Sequence, residues 1–346
     1  MALPTRLLQR SEIVRNDVVN IVFCCDDKFS GQLQVAALSA VLNAFSSVAI
    51  YVIDCGISGK GKDALFSLKT KYVNVIDIVF REPTREKIFE KFPIPAHFSS
   101  AIFYRLAIPK TFPELKRAIY MDCDVFVSDD ISLLWSVDLG DRAFGALNEE
   151  TNFFSSGDIA RRKAKIGLPP ERVYMNSGVL LIDIKRFERE KIFERVLEFV
   201  SGRSEPLPCP EQDAMNLCLS PDEYVPLDPK FNFTPFAPRA RRCLRKMRKP
   251  VIIHYSCNKP WSFNKNLVNK LYEFWLFRYG LWFIKEYWMY SDQIDGHAFS
   301  SNSTKQTWNF LYKQVFGKFE YFIAKKVRNG IIRLWQRVFK RNRVHA

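Results

Sequence analysis

The chain has 346 residues, 47% apolar and 26% charged, which excludes bulk disorder and allows one large domain or two smaller ones with a full core. The N-terminus lacks the apolar run of a signal peptide. No segment offers the ~18 or more apolar residues of a membrane span; the longest candidate, residues 271–289, is broken by Glu273, Arg278, Lys285 and Glu286, so cytoplasmic residence is expected.

In chain order, residues 18–25 are a continuous apolar run ending at two acids, the pattern of a strand buried on both faces. A helical period follows over 31–45, then a strand at 49–56, a polar helix at 59–71 and a strand at 73–80. This alternation is the signature of a doubly wound α/β sheet. Residues 99–108 read as a helix stopped by Pro109, and 118–127 as one strand carrying two acids. Further strands are expected at 143–148, 175–184 and 251–256, an amphipathic helix at 187–200 and a short helix at 211–219. Beyond Trp261 the composition turns aromatic and basic. The division expected is an N-terminal extension (1–16), a catalytic domain (17–270) and a basic aromatic C-terminal helical region (271–346).

The eight cysteines include no C-x-x-C pair, so they read as small core residues rather than a zinc site or disulfide framework. The net charge of +15 is concentrated: residues 239–249 carry seven cations, and residues 305–343 carry eleven against Glu320 alone. Such asymmetry implies an anionic partner for the C-terminal part. Within the tail, Val315, Phe319, Phe322, Val327, Ile331, Leu334 and Val338 fall at helical spacing with lysines and arginines between them. That suits an interfacial helix on anionic lipid, with a helix packed on the catalytic domain as the alternative. Nucleic acid is set aside because no nucleic-acid motif accompanies the charge.

Asp122-Cys123-Asp124 closes an apolar strand. Ligands of open α/β sheets bind beyond the carboxyl ends of strands, and two carboxylates there can share a hard divalent cation that also binds a diphosphate. By itself a D-x-D arises by chance about once per chain. His254, ending another apolar strand, can complete such a site, and Lys259 five residues on can meet a phosphate. Asp26 and Asp27 follow the first strand, where a nucleotide commonly sits. No G-x-G-x-x-G or Walker A motif is present, which argues against dehydrogenases and P-loop enzymes.

Eight ordered blocks, IVFCCDD, YVIDCGIS, FYRLAIP, AIYMDCDVFVSDDISLLWSVDLGD, MNSGVLLIDIKRF, EQDAMN, FNF and HYSCNKPW, span roughly residues 18–262. Together they resemble glycosyltransferase family 8, in particular its bacterial lipopolysaccharide α-galactosyl- and α-glucosyltransferases. The resemblance implies a GT-A type Rossmann-like twisted mixed sheet with a helical C-terminal appendage. It implies Mn²⁺ or Mg²⁺ as cofactor, held by Asp122, Asp124 and His254, and a UDP-sugar donor. Asp26 should face the uracil, with Asp27 and Cys123 nearby. Arg105 and Lys259 should hold the sugar diphosphate, and Glu149, Asn176, Glu211 and Gln212 should surround the hexose, with Gln212 beside the anomeric carbon. Three positions depart from the family pattern: Lys28 replaces a small polar residue, Glu211 an Asp, and HYSCNKPW is one residue short and lacks a Gly. The implied reaction is transfer of galactose or glucose with retained configuration to a saccharide or lipid-linked oligosaccharide such as lipopolysaccharide core, at the inner face of the cytoplasmic membrane. A same-face displacement is the simpler route, with Asp213 or Glu211 as fallback nucleophile. Rival readings are a self-glucosylating or polyol-accepting member, or a basic binding protein with a decayed site.

Overall fold

The computed structural model describes residues 15–83, 89, 92–95, 100–149, 156–235, 249–256 and 259. The C-terminal appendage, nearly all of the basic run before Lys249 and most of the N-terminal extension lie outside the described residues.

The chain begins in β1 (Arg15–Cys25), runs through α1 (Ser30–Leu42) to β2 (Ser46–Asp54), then through α2 (Gly59–Lys71) to β3 (Val75–Arg81). A 3-10 helix over Ser100–Ala107 leads into α3 (Ile108–Thr111) and β4 (Arg117–Met121). There follow β5 (Val125–Val127), α4 (Ser132–Trp135), β6 (Phe144–Asn148), α5 (Ser156–Ile166) and β7 (Met175–Asp183). After α6 (Ile184–Arg189), α7 (Ile192–Ser201) and α8 (Pro210–Cys218) come β8 (Tyr224–Leu227) and β9 (Ile252–His254).

Seven strands form one twisted sheet in the order β3-β2-β1-β4-β7-β6-β8, and β5 pairs with β9 in a separate two-stranded ribbon. The pairs β1–β2, β2–β3, β1–β4 and β6–β8 are parallel, whereas β7 runs antiparallel to both β4 and β6. The sheet is therefore mixed. β1 lies inside it, so alternate residues feed two different cores. Val19, Ile21 and Phe23 meet α1 and α2 through Leu33, Leu38, Val41, Leu65 and Leu68 on one face. Val22 meets Phe103, Ile108, Phe187, Phe193 and Met215 on the other. The result is three layers, helix–sheet–helix.

Three local expectations are corrected and one strand was not foreseen. Residues 118–127 are two strands, because the chain leaves β4 at Asp122 and re-pairs with β9 from Val125. Pro109 does not stop a helix but opens α3, where its missing N–H has no intrahelical partner to lose. The single helix expected over 187–200 is α6 and α7, separated at Lys191, whose φ of 51° lies in the left-handed region. β8 escapes periodicity because it is short and contains Pro226, which confines it to the sheet edge.

Candidate active site

The chain winds outward from β1 to β3, then returns to lay β4 on the other side of β1. Loops leaving the carboxyl ends of two such strands diverge, one to each face, and open a crevice between them. Here those loops carry Asp26, after β1, and Asp122-Cys123-Asp124, after β4. A cavity of about 540 Å³ lies there, lined among others by Cys24, Cys25, Asp26, Phe29, Arg105, Tyr120, Asp122, Cys123, Asp124, Glu149, Arg162, Asn176, Ser177, Cys209, Glu211, Gln212, His254, Ser256 and Lys259.

Backbone pairing brings the metal-type residues together. The Asp122 N–H donates to the Gly178 carbonyl at 2.8 Å, and the Tyr255 N–H to the Asp124 carbonyl at 2.9 Å. Val125 faces His254 across the β5–β9 ribbon. One ligand atom each from Asp122, Asp124 and His254 lies within 4.8 Å of the others. His254 Nε2 is 3.2 Å from Asp124 Oδ1 and 3.7 Å from Asp122 Oδ2. Two carboxylates and one imidazole nitrogen are a donor set for a hard or borderline divalent ion such as Mn²⁺ or Mg²⁺. Gly178 makes the close approach possible: a Cβ there would fall 2.3 Å from His254 Cε1 and 2.8 Å from Asp122 Oδ2.

Cations flank this cluster. Lys259 pairs with Asp124. Burial opposes ionisation of Asp124, but Lys259 and then His254 outweigh it and hold the carboxyl far below the ordinary range. Arg105 is 5% exposed and bridges Asp122 (2.8 Å) and Glu211 (3.2 Å). Its guanidinium also donates to the Ile102 and Ser177 carbonyls at 3.0 Å and lies 4.8 Å from the Tyr120 ring centroid. Burial works against its charge, and Asp122 and Glu211 more than restore it.

Further in, polar groups form a buried floor. Asn176 donates to Glu149 at 2.6 Å, Glu149 pairs with Arg162 at 3.3 Å, and Arg162 also meets Cys209. The Ser177 N–H donates to Gln212 Oε1 at 3.1 Å and the Ser177 hydroxyl to Glu211 at 3.1 Å. Gln212 donates to Tyr174 Oη at 2.9 Å, and Tyr174 donates to Asp213 at 2.5 Å. Burial raises the carboxyls of Glu149, Glu211 and Asp213, partly offset by Arg162, Arg105 and the Tyr174 hydrogen bond respectively.

Ten of the expected residues line the cavity beside His254: Asp26, Arg105, Asp122, Cys123, Asp124, Glu149, Asn176, Glu211, Gln212 and Lys259. Two do not. Asp27 points to a separate groove and accepts from the Ser58 N–H at 2.9 Å, which lowers its pKa. Asp213 is fully buried and accepts from Tyr174 and from the Cys209 N–H. Sequence reasoning missed Phe29, Tyr120, Arg162, Ser177, Cys209 and Ser256. Ser177 sat inside the quoted MNSG block and carried a signal. Arg162, on a polar helix, and Cys209, in a proline-flanked loop, had none.

The model of glycosyl transferase family 8 matches residues 20–265. The chain belongs to this family. Its relatives include general stress protein A of Bacillus subtilis (29% identical, covering 72% of this chain and 90% of the relative). The lipopolysaccharide 1,2-glucosyltransferase of Escherichia coli is 24% identical, covering 72% and 75%. Among solved structures, the galactosyltransferase LgtC, in complex with donor and acceptor sugar analogs, aligns with a TM-score of 0.63 at 25% identity, covering 80% of this chain and 96% of that one. The apo glycosyltransferase GlyE of Streptococcus pneumoniae, at 20% identity and a TM-score of 0.52 over 78% and 64%, shares the fold. The family and its GT-A fold make the chain a glycosyltransferase. Among the described residues no helix is long and apolar enough to cross a membrane.

Proposed function

We propose that this family 8 glycosyltransferase is a metal-dependent, retaining hexosyltransferase using UDP-galactose or UDP-glucose, with lipopolysaccharide core as its acceptor. The observation carrying this reading is the convergence of Asp122, Asp124, His254 and Lys259 on one wall of a cleft that Glu149, Asn176, Glu211 and Gln212 also line. The lipopolysaccharide relative and the galactosyltransferase neighbour support the acceptor and the sugar class.

In this reading Asp122, Asp124 and His254 would hold Mn²⁺ or Mg²⁺. When bound, the ion supplies a Lewis-acid charge that offsets the negative charge of the departing UDP. Lys259, paired with Asp124, would supply a cation for a donor phosphate. Asp26 faces the uracil. Glu149, Asn176 and Gln212 orient the hexose hydroxyls. Arg105 keeps Asp122 and Glu211 in place and lends its charge to the cleft. Glu211 is tied by Arg105 and Ser177, and Asp213 is shut away behind Tyr174. Neither is poised as a covalent nucleophile, which favours attack by the acceptor hydroxyl on the face the leaving phosphate vacates. The basic aromatic region, residues 271–346, follows the catalytic domain, residues 17–270, and in this reading holds the enzyme at an anionic membrane surface.

A panel of UDP-sugars with and without Mn²⁺, using purified core oligosaccharide as acceptor, tests this. Metal-dependent UDP release with one hexose donor and an α-linked product by NMR is expected. Full turnover in excess EDTA, or a β-linked first product, would overturn the reading.

A further inference from the structure

Asn232 belongs to a motif, Phe231-Asn232-Phe233, to which the reaction above gives no part. It is fully buried. The backbone delivers it to the metal wall: the Phe233 N–H donates to the Ile252 carbonyl and the His254 N–H to the Phe233 carbonyl, each at 2.8 Å. Its side-chain Oδ1 stands 2.9 Å from His254 Nδ1, and its Nδ2 donates to Asn176 Oδ1 at 2.8 Å.

The polarity of this chain of amides is fixed from its far end. The Gly178 backbone N–H, which can only donate, lies 2.9 Å from Asn176 Oδ1. That settles which way the Asn176 amide points. Asn176 Nδ2 then meets Glu149 Oε1 at 2.6 Å, a proper donor–acceptor pair. Because Asn176 Oδ1 also faces Asn232, the Asn232 atom opposite it must be the NH₂. The atom turned to His254 is therefore an oxygen, which needs an N–H opposite it.

We infer that Asn232 is a positioning residue that keeps the proton of His254 on Nδ1, so that Nε2 alone presents a lone pair to the cation held with Asp122 and Asp124. The device is needed because the site works against itself. The carboxylates of Asp124 and Asp122 lie 3.2 and 3.7 Å from Nε2 and would draw a proton onto that nitrogen. Asn232 makes the other tautomer costly by setting two lone pairs face to face. The same relay ties the orientation of the metal-binding imidazole to Asn176 and Glu149 in the hexose pocket. The inference rests on the metal site of the proposed function, and its first test needs no metal.

In the full-length protein labelled with ¹⁵N-histidine, and at a pH where the neutral ring is present, His254 is expected to carry its proton on Nδ1. Asn232→Leu should move that proton to Nε2. Asn232→Asp, which keeps an oxygen facing Nδ1 although its second oxygen opposes Asn176 Oδ1 and gives up that hydrogen bond, should hold it in place. Titration with Mn²⁺ alone, followed by electron paramagnetic resonance, should show affinity falling about 10- to 100-fold in Asn232→Leu, with Asn232→Asp nearer to wild type. A merely structural Asn would give the reverse order, because Asp buries a charge. Wild-type protein with the proton on Nε2, or Asn232→Leu with unchanged tautomer and Mn²⁺ affinity, would overturn the inference. Wild-type protein that binds no Mn²⁺ would refute the metal reading instead, and the tautomer measurement would still judge the relay.

Discussion

Gly178→Ala is a change of one methyl group with a large expected effect. The added Cβ would sit 2.3 Å from His254 Cε1, 2.9 Å from His254 Nδ1 and 2.8 Å from Asp122 Oδ2. Ordinary contact begins at 3.4 Å, so the imidazole must withdraw by about 1.1 Å or β7 must move. β7 is paired on both sides, with β4 and β6, so the ring and the carboxylate are the softer parts. Metal ligation tolerates about 0.2 Å, and a misplacement of about 1 Å costs catalysis roughly 100-fold. Overpacking itself costs about 1–3 kcal/mol. The assay is Mn²⁺-dependent UDP release beside urea unfolding of the same preparation. A loss of about 100-fold in turnover with the fold retained is expected. Turnover within about threefold of wild type would show that the closeness of Gly178 to His254 and Asp122 has no part in building the site.

Asp124→Ala should lower metal-dependent transfer by more than the roughly 100-fold that loss of an outer-shell partner costs, with unchanged circular dichroism; near-wild-type turnover would remove it from the metal site. Away from the cleft, Arg195 pairs with Glu223; burial opposes ionisation of Glu223, but that pair lowers its pKa. A depressed carboxyl stabilises fully above its unfolded value of about 4.3 and loses that contribution as pH falls through the folded value. Arg195→Gln should therefore cost about 0.5–1 kcal/mol at pH 7, after allowance for solvent screening, and less at pH 3, where only the bond from Arg195 to the Cys218 carbonyl is insensitive to Glu223; urea titrations at both pH values check this, and an equal deficit at pH 3 would contradict it. Truncation after Ser303 should abolish sedimentation with anionic vesicles, a binding that weakens with salt in the full chain, while transfer to a soluble acceptor persists; equal vesicle binding by the truncated protein would refute the role given to the tail.

The residues themselves determined the inner sheet. β1 and β7 are long apolar runs, and burial on both faces leaves such runs little choice but interior strands. The D-x-D and the strand-ending His254 were legible for the same reason: a charged group ending an apolar run has to emerge at a sheet edge or in a crevice. Sequence order could not say that Asp122 and His254 meet, because they stand 132 positions apart and the β5–β9 ribbon closes that distance. Nor could it separate Asp26 from Asp27, adjacent acids of which one lines the cleft and the other accepts from Ser58. Asp213 had the composition of a nucleophile, and its packing behind Tyr174 makes it a buried acceptor. Arg162 and Cys209 gave no chemical signal, and Asn232, though inside the FNF block, gave no sign of the part it plays. Their parts come from which atoms face them, and hydrogen-bond polarity is a property of three-dimensional neighbours: the Gly178 N–H orients Asn176, Asn176 orients Asn232, and Asn232 orients His254, along a path that runs from β7 through the loop after β8 to β9 and follows no sequence period.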